Sequence, residues 1–194
     1  MMIGEGAEAR IYSEWVFGKE LLVKERHAKK YRIPQLDLSI RRWRTRNEAR
    51  IMSALYEAGI RVPRIIALGE FTIYMEKLEG RLMKDSKPVR GTALQCGRML
   101  AQMHNIGIVH GDFTPANIIV CNGSVHAIDF GLSGFSKDSE ERALDMLLMK
   151  RSLARDMYAA FEMAYSKFSK DQKEVLKRLA EIELRGRYQS RTIA

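Results

Sequence analysis

Residues 108–131 read IVHGDFTPANIIVCNGSVHAIDFG, and this stretch decides the fold. Asp112 and Asn117 stand five residues apart on a loop that contains Pro115. Two short apolar runs, NIIVC and SVHAI, flank Asn122-Gly123. Asn-Gly between such runs is a strong hairpin signal, because both turn residues need positive φ. A second acid, Asp129, ends the hairpin and is followed by Phe130-Gly131. A loop aspartate is usually a turn or cap residue. The elements upstream give these acids their weight.

Working outward, residues 9–15 and 19–26 are partly alternating runs joined at Phe17-Gly18 and read as two antiparallel strands. The second, LLVK, carries Lys24 toward whatever its apolar face covers. Ile3-Gly4-Glu5-Gly6-Ala7-Glu8-Ala9-Arg10-Ile11 precedes them as G-x-G-x-x-A-x-I, a run whose glycines would let backbone N–H groups approach phosphate oxygens. From Leu36 to Ala58, Ile40, Trp43, Ile51, Leu55 and Ala58 recur at helical spacing, and Gly59 stops the run. RIIALGE and FTIYME predict two more strands, and KLEG is a short polar connector. Residues 89–106 predict a helix. After the hairpin, Asp138 with Glu141 and Ser169 with Gln172 read as helix starts of the capping-box kind. The expectation is an α+β, two-lobed chain. Its front lobe, 1–77, is an antiparallel sheet with one long helix. Its back lobe, 78–184, is mainly helical, and a basic tail spans 185–194.

Phosphoryl transfer needs this inventory. Its loose transition state leaves little covalent work, so catalysis is positioning and neutralisation of charge. Asp129 and Asn117 are hard oxygen ligands suited to a magnesium ion bridging phosphates. Lys24 would fix the α- and β-phosphates of ATP, and Asp112 would accept or orient the proton of the attacking hydroxyl.

With these elements in order, the chain resembles the eukaryotic-type protein kinase superfamily over about its first 150 residues. The family's H-R-D-x-x-x-x-N appears as His110-Gly111-Asp112 with Asn117, and its D-F-G as Asp129-Phe130-Gly131. The resemblance implies an ion pair between Lys24 and a carboxylate on the long helix. Asp37, Glu48 and Glu57 are the candidates, and Glu48, in RTRNEAR, is preferred to its plain reading as a helix-surface glutamate. It also implies a hinge in IYMEKLEG, with Met75 at its entrance and the backbones of Glu76 and Leu78 edging adenine. Ile3, Ile11 and Ile119 would sandwich the ring, unless they are simply core. Asp145, in the helix after the short loop, would brace the catalytic-loop backbone, unless it is a plain helix-surface aspartate.

The departures narrow the family. Gly111 replaces the arginine that reads an activation-loop phosphate in many kinases, and Thr114 replaces a lysine. Only eight residues, 132–139, separate D-F-G from the next predicted helix, and no A-P-E occurs. The expected fold is therefore a minimal kinase fold without an activation segment or the late helices of the back lobe. G-A-E-A at Gly6 to Ala9, Y-R-I-P-Q-L-D at 31–37, Arg44 to Arg50, His110 to Asn117 and Arg185-Gly186-Arg187 together resemble the kinase-subunit family of the KEOPS complex, atypical serine/threonine kinases of archaea and eukaryotes. That resemblance covers nearly the whole chain. It implies ATP turnover with magnesium and partnership with the threonylcarbamoyl-transferase subunit that modifies adenosine in tRNA.

Charge fits such a partner. Lys+Arg 33 against Asp+Glu 24 leave +9, and residues 19–50 carry eleven basic and four acidic residues. Arg42, Arg46 and Arg50 repeat every four residues as one basic stripe, which with Arg185 and Arg187 could meet tRNA or an acidic protein face. The plain alternative is a solvated helix face. No apolar run approaches the ~18 residues of a membrane span, and the first residues, MMIGEGAEAR, do not read as a secretory signal. Two cysteines allow neither a disulfide framework nor a four-cysteine zinc site, so a cytoplasmic home is expected. Two other functions stay open from sequence. One is a small-molecule kinase of the aminoglycoside or choline type, against which stand the only about 55 residues after the short loop. The other is a non-catalytic nucleotide-binding module, which would not need Lys24, Asp112, Asn117 and Asp129 together.

Overall fold

A computed structural model describes residues 2–5, 9–16, 18–87 and 89–189, with the side chains of Ile3, Glu5 and residues 186–189 outside the description. Gly6, Ala7, the side chains of Ile3 and Arg187, and residues 190–194 of the expected tail thus lie outside the described residues. The chain divides into two compact units, Met1–Glu79 with Ala127–Gly131, and Gly80–His126 with Leu132–Ala194. The boundary falls in the KLEG connector, at Glu79. Nothing in the sequence marks the return of Ala127–Gly131 to the first unit.

The first unit holds β1 (Met2–Glu5), β2 (Arg10–Val16), β3 (Lys19–Glu25), α1 (Pro34–Glu57), β4 (Ile65–Leu68) and β5 (Thr72–Glu76). The strands form one antiparallel sheet in the order β1-β2-β3-β5-β4. β3 is central, with Val23 fully buried, and Ile51 and Leu55 of α1 and Ile73 of β5 share that core. Burying each such side chain contributes roughly 1.5–3 kcal/mol. α1 begins at Pro34, two residues ahead of the periodic run, because proline suits a first helical position whose N–H has no partner anyway. It ends where the spacing predicts. Gly59 takes φ +73°, and Ile60 N–H donates to Leu55 O at 2.9 Å.

The second unit holds β6 (Arg81–Leu82), α2 (Arg90–Asn105), β7 (Ile108–Val109), β8 (Ile118–Cys121), β9 (Ser124–Ala127), β10 (Gly134–Phe135), α3 (Ser139–Ser152), α4 (Arg155–Phe168) and α5 (Gln172–Gln189). β9 ends at Ala127, where the chain re-enters the first unit. The predicted hairpin is β8–β9, with Asn122 and Gly123 at φ 48° and 74°. Its core gathers Leu100, Met103, Ile108, Phe113, Phe161 and Tyr165, all fully buried. Among the described residues no helix is long and apolar enough to cross a membrane.

The structure corrects two sequence expectations. Ser169 closes α4 as its C-terminal cap rather than opening the next helix, its N–H bonded to Tyr165 O at 2.8 Å; α5 starts at Gln172. The first half of the expected basic tail is helical, because α5 runs on to Gln189. A single helix-interior glycine costs only about 1 kcal/mol relative to alanine, and Gly186 lies among good helix formers.

Candidate active site

In the first unit, β3 brings Lys24 into register with Ile11 of β2 and Ile73 of β5, and the side chain is almost fully buried. A buried ammonium has to be paired. Lys24 Nζ donates to Glu48 Oε1 at 2.6 Å and to Asp129 Oδ1 at 2.8 Å, so β3, α1 and the Ala127–Gly131 segment meet at one cation. Of the three carboxylates considered for this pair, the one that meets Lys24 is Glu48. Asp37 is engaged elsewhere, by Arg41 Nε at 2.6 Å, the Lys29 amide at 3.2 Å and Arg32 at 3.6 Å. Glu57 is exposed at the end of α1.

Asp129 takes φ 60°, a left-handed conformation uncommon outside glycine, and its side chain is half-exposed. Its Oδ1 also accepts from Gly131 N–H at 3.3 Å. Such local strain persists only where the surrounding structure enforces it, and it clusters at functional sites.

The remaining residues expected around a nucleotide in this unit are spread along β1, β2 and β5. A Cβ at Gly4 would meet nothing within 4 Å, so among the described residues no neighbour demands glycine there. Ala9 and Met75 are buried, Ile11 and Leu78 are half-buried, and Glu76 is exposed. The Glu76 N–H is already bonded to Arg64 O at 2.9 Å, so any backbone hydrogen bond from Glu76 to a base has to use its carbonyl.

In the second unit, Asp112 and Asn117 form one constellation. Asn117 Nδ2 donates to Asp112 O at 2.9 Å and to its Oδ2 at 2.8 Å. With its nitrogen turned to Asp112, Asn117 presents its amide oxygen as a hard donor. The loop is held from below by Asp145 of α3, whose Oδ2 accepts from His110 N–H at 2.7 Å and whose Oδ1 accepts from Gly111 N–H at 2.8 Å. Asp145 is fully buried, and His104 Nε2 lies 3.2 Å from its Oδ2, with Tyr165 O–H 2.8 Å from His104 Nδ1. Burial lowers the His104 pKa although Asp145 works against it. A neutral ring donating to Asp145 and accepting from Tyr165 satisfies all three groups. Burial also pushes the Tyr165 phenol up to about 12, which keeps it a donor. Ser133 Oγ adds a bond to His110 O at 2.8 Å.

Gly111 has its own structural reason. It takes φ +80°, and a Cβ there would lie 2.5 Å from Leu132 O. Arginine cannot occupy this backbone without displacing the loop. Ile119, expected against adenine, lies half-buried in β8, paired in register with Leu82. On α1, Arg42, Arg46 and Arg50 are exposed and share a shallow recess of about 350 Å³ with Ser39, Trp43 and Asn47; Arg42 also pairs with Glu70. Arg185 pairs with Glu140 at 3.2 Å. One charged side chain in the first unit has no role that the sequence assigns. Arg26 Nη2 donates to Glu48 Oε2 at 2.6 Å.

Comparison with known proteins gives these constellations a lineage. The family model described as RIO domain matches residues 18–175. The KEOPS complex subunit Bud32 of Pyrococcus abyssi is 37% identical, over 98% of this chain and 97% of that protein. A probable serine/threonine-protein kinase BUD32 homolog of Archaeoglobus fulgidus is 36% identical, over 97% of this chain and 96% of that one. A probable bifunctional tRNA threonylcarbamoyladenosine biosynthesis protein of Methanothermobacter thermautotrophicus is 34% identical over 96% of this chain, which spans only 36% of that longer protein. Among solved structures, the Rio2 kinase–ADP/Mg2+–phosphoaspartate complex of Chaetomium thermophilum shares the fold at TM-score 0.65 and 20% identity, covering 93% of this chain and 69% of that one. The chain belongs to the RIO-domain family of atypical serine/threonine kinases and, within it, to the Bud32 group of KEOPS complex subunits.

Proposed function

We propose that this chain binds ATP with magnesium and turns it over in the cytoplasm as the kinase subunit of a KEOPS-type complex, bound to the threonylcarbamoyl-transferase subunit. The observation that carries the reading is the buried Lys24 ammonium, 2.6 Å from Glu48 and 2.8 Å from Asp129, two carboxylates far apart in sequence. A lysine fixed in this way is pre-oriented for the α- and β-phosphates, so binding does not have to order it.

Glu48 then orients Lys24. Asp112, tied to Asn117, takes or directs the proton of the attacking hydroxyl or water in an in-line transfer. Asp129 and the amide oxygen of Asn117 fit a magnesium ion as hard donors. Bound there, the ion supplies charge neutralisation for the transferring phosphoryl group. The open space where a Gly4 side chain would stand is available to phosphate oxygens. Ile3, Ile11, Met75, Glu76, Leu78 and Ile119 receive the adenosine.

The partnership rests on the relatives. The Methanothermobacter protein, named as a probable bifunctional tRNA threonylcarbamoyladenosine biosynthesis protein, joins a segment like this chain to a longer remainder. An encounter with tRNA, direct or through the complex, follows from the same relationship and from the basic stripe on α1.

The test measures ATP hydrolysis by the chain alone, with the transferase partner, and with partner plus tRNA. Turnover is expected to rise with the partner. Asp112→Ala should lower kcat roughly 100- to 10,000-fold with the fold intact by circular dichroism, and Asp129→Ala should abolish turnover. Parent-rate hydrolysis by either variant would overturn these roles.

A further inference from the structure

The Lys24–Glu48 pair is not alone. Glu48 is 1% exposed, and each of its oxygens takes a separate cation: Oε1 from Lys24 Nζ at 2.6 Å and Oε2 from Arg26 Nη2 at 2.6 Å. Lys24 and Arg26 stand two positions apart at the end of β3, so their side chains leave the strand on the same side. Arg26 is itself only 3% exposed. Among the described residues its Nε and Nη1 have no hydrogen-bond partner, a poor arrangement for a cation whose task is only to saturate the core. A Cβ built on Gly131 would lie 3.2 Å from Asp129 Oδ1, 3.6 Å from Arg26 Nη2 and 3.8 Å from Lys24 Nζ. Two cations and the Asp129 carboxylate therefore stand around one point, Glu48 bridges the two cations, and the formal charges of the four groups cancel.

We infer that Arg26 is a positioning residue for polyphosphate. It takes up the negative charge of Glu48, so that Lys24 keeps its positive charge for the ligand while Glu48 still aims it. This rests on the ATP-binding reading above and deepens it. A Lys–Glu pair alone is neutral and attracts a triphosphate weakly. The buried Lys24–Glu48–Arg26 triad carries one net positive charge. Asp129 balances that charge at 2.8 Å from Lys24, and a magnesium ion held by Asp129 would offset its carboxylate and leave the triad's positive charge to the phosphates. Low-dielectric surroundings strengthen such an effect and exclude salt from it.

A structural role and this electrostatic role differ in how the loss depends on ligand charge. Calorimetric titration of the full chain with MgATP and with adenosine separates them. Arg26→Met should weaken ATP binding about tenfold and leave adenosine within about twofold, while Arg26→Lys, which restores the charge, should keep ATP within about threefold. Equal losses for the two ligands, or none for either, would overturn the inference. Should Arg26→Met fail to fold, Arg26→Gln, which keeps an N–H donor for Glu48 Oε2 without the charge, gives the same comparison: ATP should weaken about tenfold with adenosine within about twofold, and equal losses for the two ligands would overturn the inference. Parent protein that binds no ATP would instead overturn the ATP-binding reading and this inference with it. Parent binding with an unaffected Arg26→Met variant removes the inference alone.

Discussion

His104 sits at the bottom of the catalytic-loop support, between the Tyr165 hydroxyl and the Asp145 carboxylate, with no solvent access. Burial holds its pKa below the ordinary 6.5. The native state therefore binds fewer protons than the unfolded chain at mildly acid pH, and stability rises with pH through that interval. The contribution is complete above about pH 6.5 and is lost as pH falls toward the depressed native value. Melting curves should show a lower midpoint at pH 5 than at pH 7. His104→Gln, which cannot take up the proton, should flatten this part of the profile; an unchanged slope would assign the pH dependence to other groups. Asp37 contributes in the same direction at lower pH. Burial would raise its pKa, but the Arg41 hydrogen bond, the Lys29 amide, and the charges of Arg41 and Arg32 outweigh it and hold the group below its usual range. That engagement is also why Asp37 does not reach Lys24, a distinction the sequence does not make among three helix acids. Arg26 was legible in principle as a K-x-R pair on one face of a strand, but no spacing rule says that two cations share one glutamate.

At the level of elements, most of what positions the site follows from local rules. Gly59 ends α1 by positive φ, Asn122-Gly123 turns the hairpin, and Asp138 caps α3 by accepting from Glu140 N–H at 2.9 Å. The misread cap at Ser169 shows the limit. A serine followed three residues later by glutamine fits a helix start, yet the α4 helix reaches that serine first and uses its N–H as the closing donor. Packing between helices is less visible still. Gly97 of α2 lies against the backbone of α4, where a Cβ would overlap Phe161 O and crowd Tyr165 N at 3.0 Å. Tyr165 belongs to the same helix that steadies His104. Gly97→Ala should therefore destabilise the protein by at least about 1–3 kcal/mol in denaturant titration, the usual scale for overpacking. An unaffected midpoint would mean that α2 and α4 can part without cost.

For the whole molecule, the +9 charge is concentrated where sequence puts it, with seven of the excess charges between Lys19 and Arg50. Several of these cations have structural work: Lys24, Arg26 and Arg41 are committed to buried carboxylates. Arg42, Arg46 and Arg50 stand exposed beside exposed Trp43, so the stripe on α1 is a real surface feature. Reversing all three (Arg42→Glu, Arg46→Glu, Arg50→Glu) should weaken tRNA binding. It should also make the salt dependence shallower by about 0.9 in log–log slope for each phosphate that is no longer neutralised. Identical affinity and slope would leave the stripe as ordinary hydrated surface.

The division into units was legible at the connector but not at Ala127–Gly131, because a boundary in space depends on where a later segment returns. That return has a practical consequence for anyone dividing the gene. A fragment stopped at Glu79 keeps Lys24, Glu48 and Arg26 but leaves Asp129 on the other piece. Two separately expressed halves would then each hold an incomplete charge set, and reassembly would have to thread five residues back into place.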